Sequence, residues 1–267
     1  MSKIIEKIKS LFSAGKIDFM IGYAEGVAGK VKPYFAAGAE FSDNFIADER
    51  CIRNLAVYLN KKEIKSIPKV GIQATMPAIK SILQLAAENQ LAEGKVIALV
   101  ATPQGEILEL STFAEMENFL KNPFPDIAAM ARQRIAQIDE MPREARWEYW
   151  TKEMANCVRC YACRSVCPLC YCTQCAVEVN KPQWIPVPTH AQGNLEWHMV
   201  RAMHLAGRCI GCGECARACP VEIPVGLFSL MLNDFTQETF GQAAGMTAKP
   251  DYALGIFKDN DNENFIR

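Results

Sequence analysis

The chain holds 12 cysteines in 267 residues, and 11 of them lie between Cys157 and Cys219. Cys157, Cys160, Cys163 and Cys167 follow the spacing C-x2-C-x2-C-x3-C, with Pro168 next. Cys209, Cys212, Cys215 and Cys219 repeat it, followed by Pro220. Every cysteine recurs at an offset of 52, which marks an internal duplication. Thiols at this density either pair as disulfides or bind metal. A chain of this length can build a hydrophobic core without disulfides. Its opening, Met1 to Lys9, alternates apolar and charged residues and is no secretory signal. The expectation is therefore metal, in a reducing cytoplasm.

The repeated run is the bacterial ferredoxin signature. Two residues between successive cysteines let three sulfurs of one loop converge on one cubane. The fourth cysteine, at the start of the next segment, points to the other cluster, with a proline breaking regular structure behind it. Cys157, Cys160, Cys163 and Cys219 are thus expected on one [4Fe-4S] cluster, and Cys209, Cys212, Cys215 and Cys167 on a second. A pair of zinc sites would show separate C-x2-C pairs rather than four-cysteine runs with a trailing proline. Gly207, Gly211 and Gly213 would let backbone amides approach the sulfurs. Arg159, Arg164, Arg208 and Arg217 could offset cluster charge, or pair with neighbouring carboxylates. Gly211-x-Gly213-x-x-Ala216 mimics a dinucleotide fingerprint, but no strand precedes it.

Cys51, Cys170, Cys172 and Cys175 remain. The last three form C-x-C-x2-C, which suggests a third metal site, zinc or iron–sulfur, lacking one ligand. Cys51, His190, His198 or His204 could complete it, and the alternative is free thiols beside the cluster pocket. Cys51 shares a would-be helical face with Ile52, Leu55, Ala56 and Leu59, where a lone cysteine is usually a small buried apolar residue.

The elements that must carry these residues are legible in outline. Ile17 to Ile21 reads as a strand and Asp48 to Asn60 as an amphipathic helix. Lys69 to Ala74 reads as a second strand, followed by a helix with Thr75 as cap and Pro77 in its first turn. Lys95 to Val100 is apolar enough for a strand buried on both faces. Strand, helix, strand implies a small α/β layer with parallel pairing. Asn122 to Asp126 reads as a linker, followed by two helices broken at Pro142. The second of these, Arg143 to Ala155, puts Trp147, Trp150 and Met154 on one side, facing the cluster region. Between the runs lie 41 residues with Pro182, Pro186 and Pro188 and a helix from about Asn194 to Leu205. A last helix runs from about Val225 to Phe240, and the polar stretch Asp259 to Glu263 reads as solvated. The expected organisation is an α/β domain over 1–122, a helical connector over 123–156, and a ferredoxin-like α+β domain holding both clusters over 157–224. A helical C-terminal extension and tail would occupy 225–267.

With 29 basic against 30 acidic residues and a formal charge of −1, the chain has no field to hold nucleic acid or an anionic membrane. No apolar stretch is long enough to span a bilayer.

The whole chain resembles the iron–sulfur beta subunits of deazaflavin-type hydrogenases and formate dehydrogenases, a family also found in heterodisulfide-reductase-like and flavin-based bifurcating complexes. The resemblance rests on Cys157 to Cys172, on Pro182-Gln183-Trp184 and on Arg201 to Cys209. It extends more loosely to the α/β segment and to Phe265-Ile266. It implies an electron-relay subunit bound to a flavoprotein or metalloenzyme partner. Relatives often carry a cysteine in a Gly-Cys-Asp turn after the second strand, whereas Gln73 to Ala78 has none here. Some relatives bind flavin, FAD or FMN, but no motif supports one in this chain, because Gly22-Tyr23-Ala24-Glu25-Gly26 is too generic. A relay subunit is the leading expectation, since four cysteines on each cubane leave no open iron for bond chemistry and no catalytic residue can be singled out. A flavin-binding catalytic subunit reducing a nicotinamide or deazaflavin is the alternative, and flavin content separates the two. A third reading, clusters that only hold the fold, is separated by potentiometric titration.

Overall fold

The computed structural model describes residues 2–179, 182, 185–253 and 255. The chain opens with helix α1 (Lys3–Ser13), which buries Ile4, Ile5, Ile8 and Leu11. Their spacing is that of one helical face, so the alternation at the start of the sequence is amphipathic packing. There follow β1 (Phe19–Glu25), β2 (Val31–Ala36), β3 (Phe45–Ile46), the short helix α2 (Lys62–Lys65), β4 (Val70–Gln73) and α3 (Met76–Ala87). After these come β5 (Val96–Ala101), β6 (Ile107–Leu110) and α4 (Phe113–Phe119). The sheet has the order β2-β1-β4-β5-β6, with β3 also paired to β1.

The expected parallel layer is the centre of this sheet: β1 pairs with β4, and β4 with β5, in parallel. The flanks are antiparallel, β2 and β3 on β1 and β6 on β5. The sheet is therefore mixed, because the short connections at its edges can return a chain only antiparallel. Thr75 stands at the N-cap of α3 with Pro77 in the first turn, although the threonine side chain makes no cap bond.

The helix expected over 48–60 is not formed. Asp48 Oδ1 accepts from the Arg50 amide at 2.9 Å, and the Asn54 side chain caps a 3-10 turn over Leu55–Tyr58. Such local side-chain bonds compete with a continuous helix. Ile52, placed on the apolar face by that expectation, is 56% exposed.

The second half is helical among the described residues: α5 (Ala129–Asp139), α6 (Arg143–Ala155), α7 (Ala162–Ser165), α8 (Ala176–Val179), α9 (Ala191–Met203), α10 (Glu214–Arg217) and α11 (Gly226–Phe240). The break between α5 and α6 falls at Pro142 as the sequence indicates. Trp150 and Met154 are buried, but Trp147 is 60% exposed, so the apolar side of α6 is narrower than expected. All strands precede residue 111, and the β part of the α+β expectation for 157–224 is absent among the described residues. Each run closes into a short helical turn, α7 or α10, followed by a proline that cannot donate to a ladder. The stretches 183–184, 259–263 and 265–266 lie outside the described residues.

The duplication is also written in the backbone. Arg159 (φ 53°) and Tyr161 (φ 59°) of the first run correspond at the same offset to Gly211 (φ 69°) and Gly213 (φ 72°) of the second. The loop requires the left-handed region twice, and the second run supplies glycine there. The first run holds two side chains against a cost of about 1–2 kcal/mol each. Contacts offset it: Arg159 Nε donates to Asn194 Oδ1 at 2.8 Å, and the Tyr161 ring lies 5.5 Å from that of Trp197.

The main core is built on the sheet and α3, and it also takes in Leu169, Leu205, Ile210 and Ala244 from the second half. Glu88, just past α3, fastens the two halves. Its buried carboxylate accepts from Arg208 Nε at 2.7 Å, from Arg208 Nη2 and from the Tyr171 hydroxyl at 2.6 Å. Glu214 is a second fastening, bound by Arg53 at 3.1 Å, Arg217 at 2.7 Å and the Asn54 amide at 3.2 Å. Among the described residues no helix is long and apolar enough to cross a membrane.

Two outcomes follow. Replacing Glu88 by Gln leaves the largely buried Arg208 cation without its counter-charge and should cost about 3–5 kcal/mol. It would be read as a lowered urea midpoint at unchanged slope, and a shift below about 1 kcal/mol would show that the pair does not fasten the halves. Gly213→Ala, which forces alanine into a positive φ, should cost about 1–2 kcal/mol in the same assay.

Candidate metal centre

The two runs close two cavities. One is lined by Cys157, Cys160, Cys163 and Cys219 together with Trp197 and His198. The other is lined by Cys167, Cys209, Cys212 and Cys215 together with Arg201 and Leu205. Each cavity takes three cysteines from one run and the last cysteine of the other. The helices α7 and α10, which carry the third cysteine of each run, pack on one another.

Backbone amides point at the sulfurs. The Arg159 amide donates to Cys157 Sγ at 3.4 Å, and the Ile223 amide to Cys219 Sγ at 3.4 Å. In the second run the Gly211, Glu214 and Ala216 amides do the same for Cys209, Cys212 and Cys215. The left-handed residues of the loops turn these amides inward, so the positive φ at Gly211 is tied directly to a sulfur contact. Burial pushes the Cys163 and Cys212 thiols up to about 11 and Cys209 up to about 12. Without metal these sulfurs stay protonated, so a metal must displace protons to bind.

The surroundings fit a sulfur-rich anionic group such as a [4Fe-4S] cluster. Trp197 is 1% exposed and lines the first cavity, and its indole N–H has no acceptor. Arg159 Nη2 and Arg201 Nε are likewise buried donors without a partner. Buried polar groups are seldom left unpaired. Donors collected around four sulfurs are satisfied by an acceptor seated among them. Among the described residues no three His, Cys, Asp or Glu side chains converge on a single ion. Four sulfurs spaced around a cubane would not converge in that way.

His198 is 4% exposed, and its Nε2 lies 3.3 Å from Cys157 Sγ. Burial, then the charges of Arg201 and Arg159, lower its pKa to about 4, so the ring is neutral near pH 7. Neither the histidine contact nor the orphan indole could be read from the spacing of the cysteines. Their one signal is their position on α9 between the runs.

The flanking arginines divide. Arg208 is taken by Glu88, Arg217 by Glu214 and Arg164 by Glu178 at 3.0 Å, while Arg159 reaches Asn194. Arg201, in the last turn of α9, faces sulfur of both sets, beside Cys163, Cys167, Cys170 and Cys215.

The remaining cysteines are dispersed. Cys170 lies against Cys167 and Arg201 and packs on the main core. Cys175 packs on a different core, around Trp150 and Trp197. Cys172 is exposed, and Cys51 donates weakly to the Ile46 carbonyl at 3.8 Å. His190 caps α9 through the Gly193 amide, and His204 follows its last turn. The segment Gly22 to Glu25 belongs to β1, where a Cβ on Gly22 would fall 2.1 Å from Gln73 Oε1. Gly26, which ends the stretch Gly22-Tyr23-Ala24-Glu25-Gly26, begins the turn that follows the strand.

Residues 205–225 match the family described as a 4Fe-4S binding domain. The chain is 29% identical over 153 residues to the F420-dependent formate dehydrogenase subunit beta of Methanocaldococcus jannaschii, covering 50% of this chain and 38% of that one. It is 30% identical over 172 residues to the F420-dependent formate dehydrogenase 1 subunit beta of Methanococcus maripaludis, covering 58% of this chain and 42% of the relative. It thus spans about two fifths of the length of these curated relatives. The 4Fe-4S domain and these relatives fit the resemblance of the cysteine runs to the iron–sulfur beta subunits of deazaflavin-type enzymes.

Proposed function

We propose that the chain is an electron-transfer subunit of a larger oxidoreductase and holds two [4Fe-4S] clusters. Cys157, Cys160, Cys163 and Cys219 ligate one, and Cys209, Cys212, Cys215 and Cys167 the other. The observation that carries this reading is the cross-closure of the two cavities, each lined by four cysteines in the pattern a two-cluster ferredoxin requires. When bound, such a cluster supplies one-electron storage at a potential tuned by charge, amide contacts and exposure.

The chain's own residues do the rest. Thiolates fill every ligand position, which leaves no iron site for a substrate. The inward amides and Arg201 stabilise negative charge on the sulfurs. Leu205, Ile223 and Val225 cover the cavities and keep water from them. The contact between α7 and α10 brings the two sets close enough for a short path. The likeness to beta subunits of formate dehydrogenases supports a partner that is a flavoprotein or metalloenzyme, with electrons passing between its flavin and another redox centre.

Anaerobic reconstitution should give about eight iron atoms per chain, and a value near four, or zinc in place of iron, would remove the two-cluster claim. The reconstituted chain should also accept electrons from a low-potential donor yet fail to turn over NAD(P)H, formate or hydrogen with an artificial acceptor. Sustained turnover with bound flavin would assign it a catalytic role instead.

A further inference from the structure

Arg201 is 5% exposed, and among the described residues no carboxylate is paired with it. Its one hydrogen bond to the backbone runs from Nη2 to the Cys163 carbonyl at 3.0 Å, and its Nε has no partner. A buried cation left in this way is strongly unfavourable unless negative charge stands beside it. What stands beside it is sulfur from both sets: Cys163 of the first, Cys167 and Cys215 of the second, and the non-ligand Cys170. The guanidinium reaches a backbone carbonyl of the first set while lining the cavity of the second. Arg164, Arg208 and Arg217 are bound by carboxylates, and Arg159 stands beside sulfur of the first set only, so Arg201 alone among them has its charge beside sulfurs of both sets.

We propose that Arg201 is a positioning residue shared by the two clusters, whose single buried charge raises the potential of both. This rests on the two-cluster reading above. A cation between two anionic redox groups stabilises each in its more negative, reduced state, so its removal must make both harder to reduce. A planar guanidinium directs its N–H groups in a fixed fork that spans a wider distance than the compact ammonium of lysine.

The test compares wild type, Arg201→Gln and Arg201→Lys, each reconstituted anaerobically in the full chain, by iron analysis and EPR-monitored redox titration. With iron content equal to wild type, Arg201→Gln should shift the oxidised-to-reduced ratio at fixed poise at least tenfold for both clusters. That is a fall of about 59 mV for a one-electron couple. Arg201→Lys should recover at least half of that shift. Unchanged potentials in Arg201→Gln, a change confined to one cluster, or a lysine variant no better than glutamine would each overturn the proposal. Should Arg201→Gln fail to take up iron, pulsed EPR on wild type grown with arginine 15N-labelled at the guanidinium alone, compared with Arg201→Lys, decides. Nitrogen coupling on both reduced clusters, lost in Arg201→Lys, supports the shared contact, and its absence on either overturns it. Wild type with fewer than about eight iron atoms would instead sink the two-cluster reading, which the iron analysis reveals independently.

Discussion

Each cysteine run completes the cavity begun by the other, and the rest of the second half is arranged around that interlock. Cys167 belongs in sequence to the first run but lines the cavity of the second, and Cys219 makes the reverse journey. Neither loop can therefore enclose its cavity until the other has folded beside it. The 41 residues between the runs are more than a tether. They supply α9, which presents Trp197 and His198 to one cavity and Arg201 to the other from successive turns of a single helix. Orphan donors on that helix make sense only against an acceptor held among the sulfurs.

The interlocked unit has no strand of its own among the described residues and leans on the sheet. Glu88 and Glu214 make the attachment, and both are buried carboxylates: Glu88 is gripped by Arg208 beside the second run, and Glu214, within that run, by Arg53 and the Asn54 amide of the first half. Arg208, one of the arginines that could have offset cluster charge, is thereby spent on holding the halves together, while Arg164 and Arg217 are paired within the second half. Arg201 is left inside with no carboxylate partner among the described residues. In the α/β half, Gly22 is packed under Gln73 and Phe45 within the sheet.

Much of this was legible in the sequence because spacing encodes it. The offset between the runs carried through to the backbone, where Arg159 and Tyr161 take the same left-handed conformation as Gly211 and Gly213. The parallel centre of the sheet, the break at Pro142 and the end of α11 at Gly241 follow from hydrophobic period and breakers. The antiparallel edges β2, β3 and β6 were missed because they are short and half exposed. The segment after Asp48 has a helical period but lost its helix to the side-chain bonds of Asp48 and Asn54, which periodicity does not register. Arg201 opens one of the stretches that carry the resemblance, yet neither spacing nor residue type gives it a role there. Only the fold shows that it has sulfur on both sides and no carboxylate.

The crossed closure of the cavities is most directly tested by matching cluster losses across variants. EPR spectra of the reduced, anaerobically reconstituted chain should be compared for Cys160→Ala, Cys167→Ala, Cys212→Ala and Cys219→Ala. The account requires Cys167→Ala to perturb the same signal as Cys212→Ala, and Cys219→Ala the same signal as Cys160→Ala, although each pair joins different runs. If Cys167→Ala instead matched Cys160→Ala, each run would hold its own cluster, and the interlock would be wrong.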